Sequence, residues 1–125
     1  MLQQVNSARG RSGARPLTMC APLTEASQRQ SVDMSVARTL SHVGADGSSI
    51  SQRVANAGLG DWAALGENLA SGFTTVDATV RGLLKSPIHR ANLLNGAFTN
   101  VGFGAASDES GVRYWTQDFS RGGIC

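Results

Sequence analysis

The sequence predicts an α+β domain in which helices come first and an antiparallel β-hairpin comes last. Before residue 96, apolar residues recur at a spacing of about 3.6, the period of helices with one buried face. After residue 100 the apolar period becomes two, as in strands whose side chains alternate between faces. The 125 residues suffice to bury a sizeable core, so we expect residues 1–125 to form a single domain.

Turn and capping residues divide the helical part into five segments. The GADGSS stretch at 44–49 is typical of tight turns and separates the second helix from the third. Ser86 and Pro87 suit the N-cap and the first position of the last helix, and Gly96 ends that helix. The predicted helices are 1–9, 22–40, 49–57, 77–85 and 87–95.

Two strands follow, at 100–106 and 113–119, with a six-residue loop between them. Each strand has one face of mostly apolar side chains, which would pack against helices. These side chains are Val101, Phe103 and Ala105 in the first strand and Trp115, Gln117 and Phe119 in the second.

The charge is small and dispersed, with a formal net charge of +2. The densest basic stretch contains Arg9, Arg11 and Arg15 without interleaved aromatic residues, so we interpret it as a solvated loop rather than a nucleic-acid contact. No apolar run approaches the roughly 20 residues of a membrane span, and residues 1–20 lack the apolar core of a signal peptide. We expect a mature monomeric domain whose leader lies outside this sequence.

Cys20 and Cys125 are the two cysteines, and they form no C-x-x-C motif that would indicate a zinc-thiolate site. We favour a disulfide between them, which would indicate an oxidising compartment. In the chain-entropy treatment, closing so long a loop contributes about 4 to 5 kcal/mol. The alternative is a pair of reduced thiols in a cytoplasmic protein.

The stretch LGENLASG, at 65–72, places Glu67 in an apolar row without an obvious cation. In an extended backbone Leu65, Glu67 and Leu69 share a face, and a buried carboxylate there needs a partner. The chain has two histidines, His42 after the long helix and His89 in the first turn of another. The positive end of that helix should lower the pKa of His89 and favour its neutral, ligating form.

The spacing of these three residues leaves two interpretations open. They form either a structural hydrogen-bonded cluster or a functional site in which His42 and His89 are candidate metal ligands.

Other motifs give weaker indications of function. GLGDWA, at 58–63, does not follow a strand as a dinucleotide-binding loop would, and no G-x-S-x-G motif indicates a serine hydrolase.

The motifs LSHVGADGSS, GENLASG, LLKSPIHRANLL, VGFG and YWTQDF occur in an order that resembles the bacterial branch of the CAP superfamily. This superfamily, also called the SCP-like extracellular domain, includes cysteine-rich secretory proteins, plant pathogenesis-related proteins and venom allergens. The resemblance runs from about residue 2 to Phe119.

The resemblance implies a three-layer α-β-α sandwich with a small antiparallel sheet, and secretion or surface display. It also implies a central cleft in which His42 faces Glu67, and the same motifs place Asn68 and Gln117 there. The sequence departs from eukaryotic relatives in lacking the G-H-Y-T-Q motif and its histidine. We therefore hypothesise that His89 supplies the second imidazole of the cleft.

Family resemblance leaves the function open, since such domains are linked to sterol and fatty-acid binding, proteolysis and partner recognition. We favour a secreted, non-catalytic binding module for a small amphipathic ligand or an envelope or host partner, because no covalent nucleophile is visible. The alternative is a metal-dependent hydrolase in which His42 and His89 hold zinc or another divalent cation and Glu67 is the base. A third hypothesis is that the three residues only rigidify the fold.

Overall fold

In a computed structural model that describes all 125 residues, five helices enclose a four-stranded mixed sheet in an α-β-α sandwich. None of the helices is long and apolar enough to cross a membrane. The elements in chain order are α1 Leu2–Arg11, β1 Thr18–Met19, α2 Ala21–Ala37, α3 Ile50–Asn56, β2 Gly60–Ser71, α4 Val76–Lys85, α5 Pro87–Leu93, β3 Asn100–Ser107 and β4 Arg113–Ile124.

The sheet has the strand order β1-β3-β4-β2. The predicted hairpin is confirmed as β3 and β4, and β2 pairs antiparallel with the other side of β4. The predicted small antiparallel sheet is confirmed, and β1 extends it by a short parallel pairing to β3. Two residues are too few for a periodic signal, so the sequence could not reveal β1.

Helix α2 lies directly on the sheet because β3 has glycines where the two backbones meet. A Cβ atom added at Gly102 would lie 2.1 Å from the backbone N of Thr24, and one at Gly104 would lie 2.4 Å from the carbonyl carbon of Ser27. Helices α1, α4 and α5 cover the opposite face, over the largest cluster of buried apolar side chains. This cluster comprises Val5, Leu17, Ala70, Val80, Leu83, Leu93, Phe98, Val101, Trp115 and Phe119.

Several predicted boundaries need correction. Helix α2 ends at Ala37 instead of residue 40, because Arg38 adopts a left-handed backbone with φ of 54°. Helix α5 ends at Leu93, two residues before the predicted end. Strand β4 continues beyond residue 119 to Ile124 because the early part of β2, from Gly60, pairs with it.

The Cys20–Cys125 disulfide is present and ties the start of α2 to the end of β4. Its Cα atoms are 5.3 Å apart, and the Cys20 side is buried in a small apolar cluster with Leu23 and Val54.

The interpretation of Arg9 as part of a solvated loop was wrong. Its side chain is fully buried and donates hydrogen bonds of 2.8 to 3.2 Å to the backbone carbonyls of Arg15, Leu93, Asn95 and Phe98. One guanidinium thus joins α1 and its following loop to the end of α5. Arg11 is exposed, as expected.

Candidate functional site

Glu67 lies in the middle of β2, the edge strand of the sheet, with its side chain turned toward the layer of α2 and α3. This side chain is 4% exposed. Its Oε1 lies 2.8 Å from Nδ1 of His42, and its Oε2 accepts a hydrogen bond from the guanidinium of Arg53. Both carboxylate oxygens are therefore engaged, one by an imidazole and one by a cation.

Arg53 is the site residue that the sequence did not single out. A capping box formed by Ser49 and Gln52 begins helix α3 and turns Arg53 inward, where it is 1% exposed. Besides the bond to Glu67, Nη1 of Arg53 donates to the backbone carbonyls of His42, at 2.9 Å, and Ser48, at 3.3 Å. Arg53 and Glu67 are 14 positions apart and lie on separate elements, so no local motif reveals their pairing.

His42 lies in the loop after α2, and its side chain is 66% exposed. The loop backbone is fixed by Arg53 and by the buried Gln30, whose amide donates to the carbonyls of Ser41 and Val43. Because a carboxylate only accepts, the Nδ1 of His42 carries the proton toward Glu67. Its Nε2 has no partner within the protein and lies on an exposed ring.

Asp118 is a second carboxyl beside Glu67, and no sequence pattern pointed to it. The two residues are direct partners across the β2–β4 pair, and Asp118 is fully buried. The hydroxyl of Ser27, on α2, lies 2.9 Å from its Oδ2. Burial, followed by the neighbouring Glu67 carboxyl, raises the pKa of Asp118 well above its ordinary value.

His89 belongs to the opposite helical layer, on α5. Its Nδ1 lies 2.9 Å from Oγ of Ser86, and its carbonyl accepts a hydrogen bond from Asn68. The pKa of His89 is lowered, mainly by burial and then by repulsion from His42. The pKa of His89 was expected to be lowered by the positive end of α5, and it is lowered, but the main cause is desolvation.

Asn68 and Gln117, which the motifs placed in the cleft, do not line an open surface. Both are fully buried, and Asn68 Nδ2 lies 3.2 Å from Gln117 Oε1. Alternation along β2 turns Asn68 to the α5 side while Glu67 faces α2. With Asn92, which donates to the side-chain oxygen of Asn68 and to the carbonyl of Glu67, they tie α5 to β2.

The residues at this site do not make a complete metal centre. No three side chains among His, Cys, Asp and Glu lie close enough together to hold a metal ion. His42 and His89 supply two imidazoles, and Glu67 is already engaged on both oxygens. A zinc site usually needs three or four protein ligands.

An open surface groove of about 860 Å³ lies elsewhere, along the outer face of α2 between Met19 and Asp33. It includes none of the candidate site residues. A cavity of about 230 Å³ adjoins the His42 loop, between the end of α2 and residues 39–45. Met34, Ala37 and Val43 are among the apolar residues that line it.

The α-β-α sandwich, with His42 and Glu67 paired at the edge of its sheet, agrees with the class of domain that the sequence motifs resemble. The sequence model of the cysteine-rich secretory protein (CAP) family matches residues 2–119. The chain belongs to this family.

Three of the similar proteins are bacterial. YkwD, an uncharacterized protein of Bacillus subtilis (strain 168), is 30% identical over 119 residues, which are 95% of this chain and 45% of YkwD. An extracellular SCP-domain protein of Bacillus anthracis superposes with a TM-score of 0.85 at 28% identity, over 97% of this chain and 40% of that one. An outer surface protein of Borrelia burgdorferi shares the fold, with a TM-score of 0.84 at 20% identity, over 96% and 88% of the two chains. The chain thus spans less than half the length of YkwD.

Proposed function

We propose that this domain is a non-catalytic binding module of an exported protein, and that it recognises a small amphipathic ligand or an envelope partner at the His42 edge of β2. The observation that carries the proposal is the engagement of both Glu67 oxygens by Arg53 and His42. A general base must be within reach of the proton that it removes. Glu67 instead serves as a buried anchor that orients an exposed imidazole.

The exposed surface around the two imidazoles supports an amphipathic ligand. Val43, next to His42, is 55% exposed, and Ile88, next to His89, is 79% exposed. Neutral His42 offers the lone pair of Nε2 to a donor on the ligand, such as a hydroxyl or an amide. The apolar side chains and the 230 Å³ cavity beside the His42 loop suit a short apolar group.

Export is supported by two observations. The Cys20–Cys125 disulfide is typical of oxidising compartments. The Bacillus anthracis relative is described as extracellular.

A titration of the ¹⁵N-labelled domain with decanoate, followed by NMR, tests the proposal, and co-sedimentation with purified peptidoglycan tests the envelope alternative. In the decanoate titration we expect chemical-shift changes centred on the amides of residues 41–44 and 88–90. Ile88→Ser should weaken the binding by about tenfold, the equivalent of the roughly 1.5 kcal/mol gained by burying such a side chain. Val36→Ser removes an equally exposed apolar side chain on α2 and should have no effect. No binding of either probe, or shifts confined to the α2 groove, would contradict the proposal.

A metal-dependent hydrolase is the second candidate, and the orientation of His42 favours it. An imidazole with one nitrogen fixed by a carboxylate and the other free is typical of zinc ligands. Calorimetry with zinc, on the intact domain and on His42→Ala and His89→Ala, distinguishes the candidates. One-to-one binding that both substitutions abolish would support the hydrolase, and the absence of such binding would leave the binding module.

A further inference from the structure

We propose that Asp118 keeps a proton in the folded protein at neutral pH, and that this proton makes Asp118 a positioning residue for Glu67 and, through it, for His42. The inference concerns the protonation of the site and holds whether or not the site binds a ligand.

The placement of the two carboxyls is the first reason. Asp118 on β4 and Glu67 on β2 are direct cross-strand partners, so their side chains emerge side by side on the face covered by α2. Asp118 is fully buried, and the side chain of Glu67 is 4% exposed. Two ionised carboxylates so placed repel each other without much screening by water.

Proton counting gives the second reason. The Oγ of Ser27 lies 3.1 Å from the carbonyl oxygen of Gly102 and 2.9 Å from Oδ2 of Asp118. A hydroxyl has one proton and cannot fully serve both acceptors. The other oxygen, Oδ1 of Asp118, is buried without any donor. A proton on Asp118 supplies the missing donor of this cluster.

Charge counting gives the third reason. Near Asp118 lie the buried charges of Glu67 from β2 and Arg53 from α3, and beyond Glu67 lies the mostly exposed imidazole of His42. Helix α2 contributes the neutral Ser27, and β3 contributes only the backbone of Gly102. The Arg53–Glu67 pair is neutral by itself, so an ionised Asp118 would leave a net negative charge in a buried layer.

The direction of the pKa shift agrees with this geometry. Burial and the Glu67 carboxyl raise the pKa of Asp118, while the Ser27 hydrogen bond and the charge of Arg53 lower it by less. As the pH rises past this pKa, the proton leaves for solvent and the two carboxylates repel. Because Glu67 holds the ring of His42 at 2.8 Å, we expect the His42 loop to loosen with it.

The direct test is a pH titration of the intact domain, labelled with ¹³C at aspartate carboxyls, with the Asp118 resonance followed by NMR. We expect its midpoint to lie well above the ordinary value of 3.8. Glu67→Gln should move the midpoint down, because it removes the neighbouring carboxylate that disfavours the ionised form. A midpoint at or below the ordinary value in the unsubstituted domain would overturn the proposal.

Asp118→Asn provides a second test, since the amide keeps the shape and a donor but cannot ionise. The folded state binds the proton more tightly than the unfolded one, so stability falls as the pH rises from about 3.8 to the native pKa of Asp118. We expect Asp118→Asn to remove this pH-dependent fall in stability. We also expect it to remove any change that the NMR signals of the His42 ring show at the same pH. Identical stability profiles and identical His42 signals in the two proteins would overturn the positioning role.

Discussion

Arg9 and Arg53 are both fully buried arginines on short helices, but their guanidinium groups bind different kinds of acceptor. Arg9 donates to four backbone carbonyls and has no carboxylate partner. Arg53 pairs with Glu67 and donates its remaining bonds to the loop that carries His42. The first connects elements of the fold, and the second connects the fold to the candidate site.

The difference teaches what each arginine neutralises. The acceptors of Arg9 are peptide groups, which do not titrate, so its contribution to stability should be constant across the ordinary pH range. The partner of Arg53 is a carboxylate, so removing Arg53 leaves a buried charge without its partner.

The largest expected effect is that of Arg9→Met, which leaves four buried carbonyls without their donor. Unpaired buried acceptors each cost about 1 kcal/mol or more, so we expect a loss of about 4 kcal/mol, offset in part by the apolar methionine. Chemical denaturation between about pH 5 and 8, the range in which folded proteins are usually most stable, measures the loss and its constancy. Arg11→Met, on the exposed side of the same helix, should change stability by less than about 0.5 kcal/mol. A stability loss for Arg9→Met that varies with pH would contradict the claim that Arg9 binds only groups that do not titrate.

The next effect is that of Arg53→Met, which leaves the buried Glu67 carboxylate without its cation. Breaking a buried pair by removing one partner costs about 3 to 5 kcal/mol, and we expect the lower end because His42 remains. Denaturation at neutral pH measures the loss, with the exposed Arg121→Met as control. A loss no larger than that of the control would remove the distinction from Arg9.

A smaller effect concerns the opposite side of the site. His42→Ala removes a mostly exposed hydrogen-bond partner of Glu67, so we expect a stability loss below about 1 kcal/mol. The substitution should also raise the pKa of His89, because repulsion from His42 lowers it, although burial should keep it below its ordinary value. NMR titration of the His89 ring measures the shift. An unchanged His89 titration would show that the two imidazoles do not sense each other.

The sequence predicted the parts of this molecule that local patterns encode. The five helices and the hairpin follow from periodicity and capping, and the proximity of His42 to Glu67 follows from the order of the family motifs. Arg53 escaped notice because an arginine in a short helix ordinarily faces solvent. An inward position beside Val54, together with an unpaired Glu67 elsewhere, is the signal that could have suggested it.

Asp118 escaped notice for a related reason. In β4 the polar residues alternate with apolar ones, a pattern typical of a face in contact with water. Here that face is covered by the serines of α2, with Thr116 paired to Ser31 at 2.8 Å and Asp118 to Ser27 at 2.9 Å. A polar layer buried by matching polar residues on a distant helix cannot be distinguished from a solvated face in one sequence.

The most direct test of the central claim, that Arg53 neutralises the charge of Glu67, is a double-mutant cycle of Arg53→Met and Glu67→Gln on the free energy of unfolding at neutral pH. Groups in direct contact couple by about 0.5 to 3 kcal/mol, and for this buried pair we expect at least about 1.5 kcal/mol. The parallel cycle of Arg9→Met with Glu67→Gln should be additive within about 0.5 kcal/mol. Additive behaviour in the Arg53 cycle would contradict the account, because Glu67 would then be free to act as a base or a ligand.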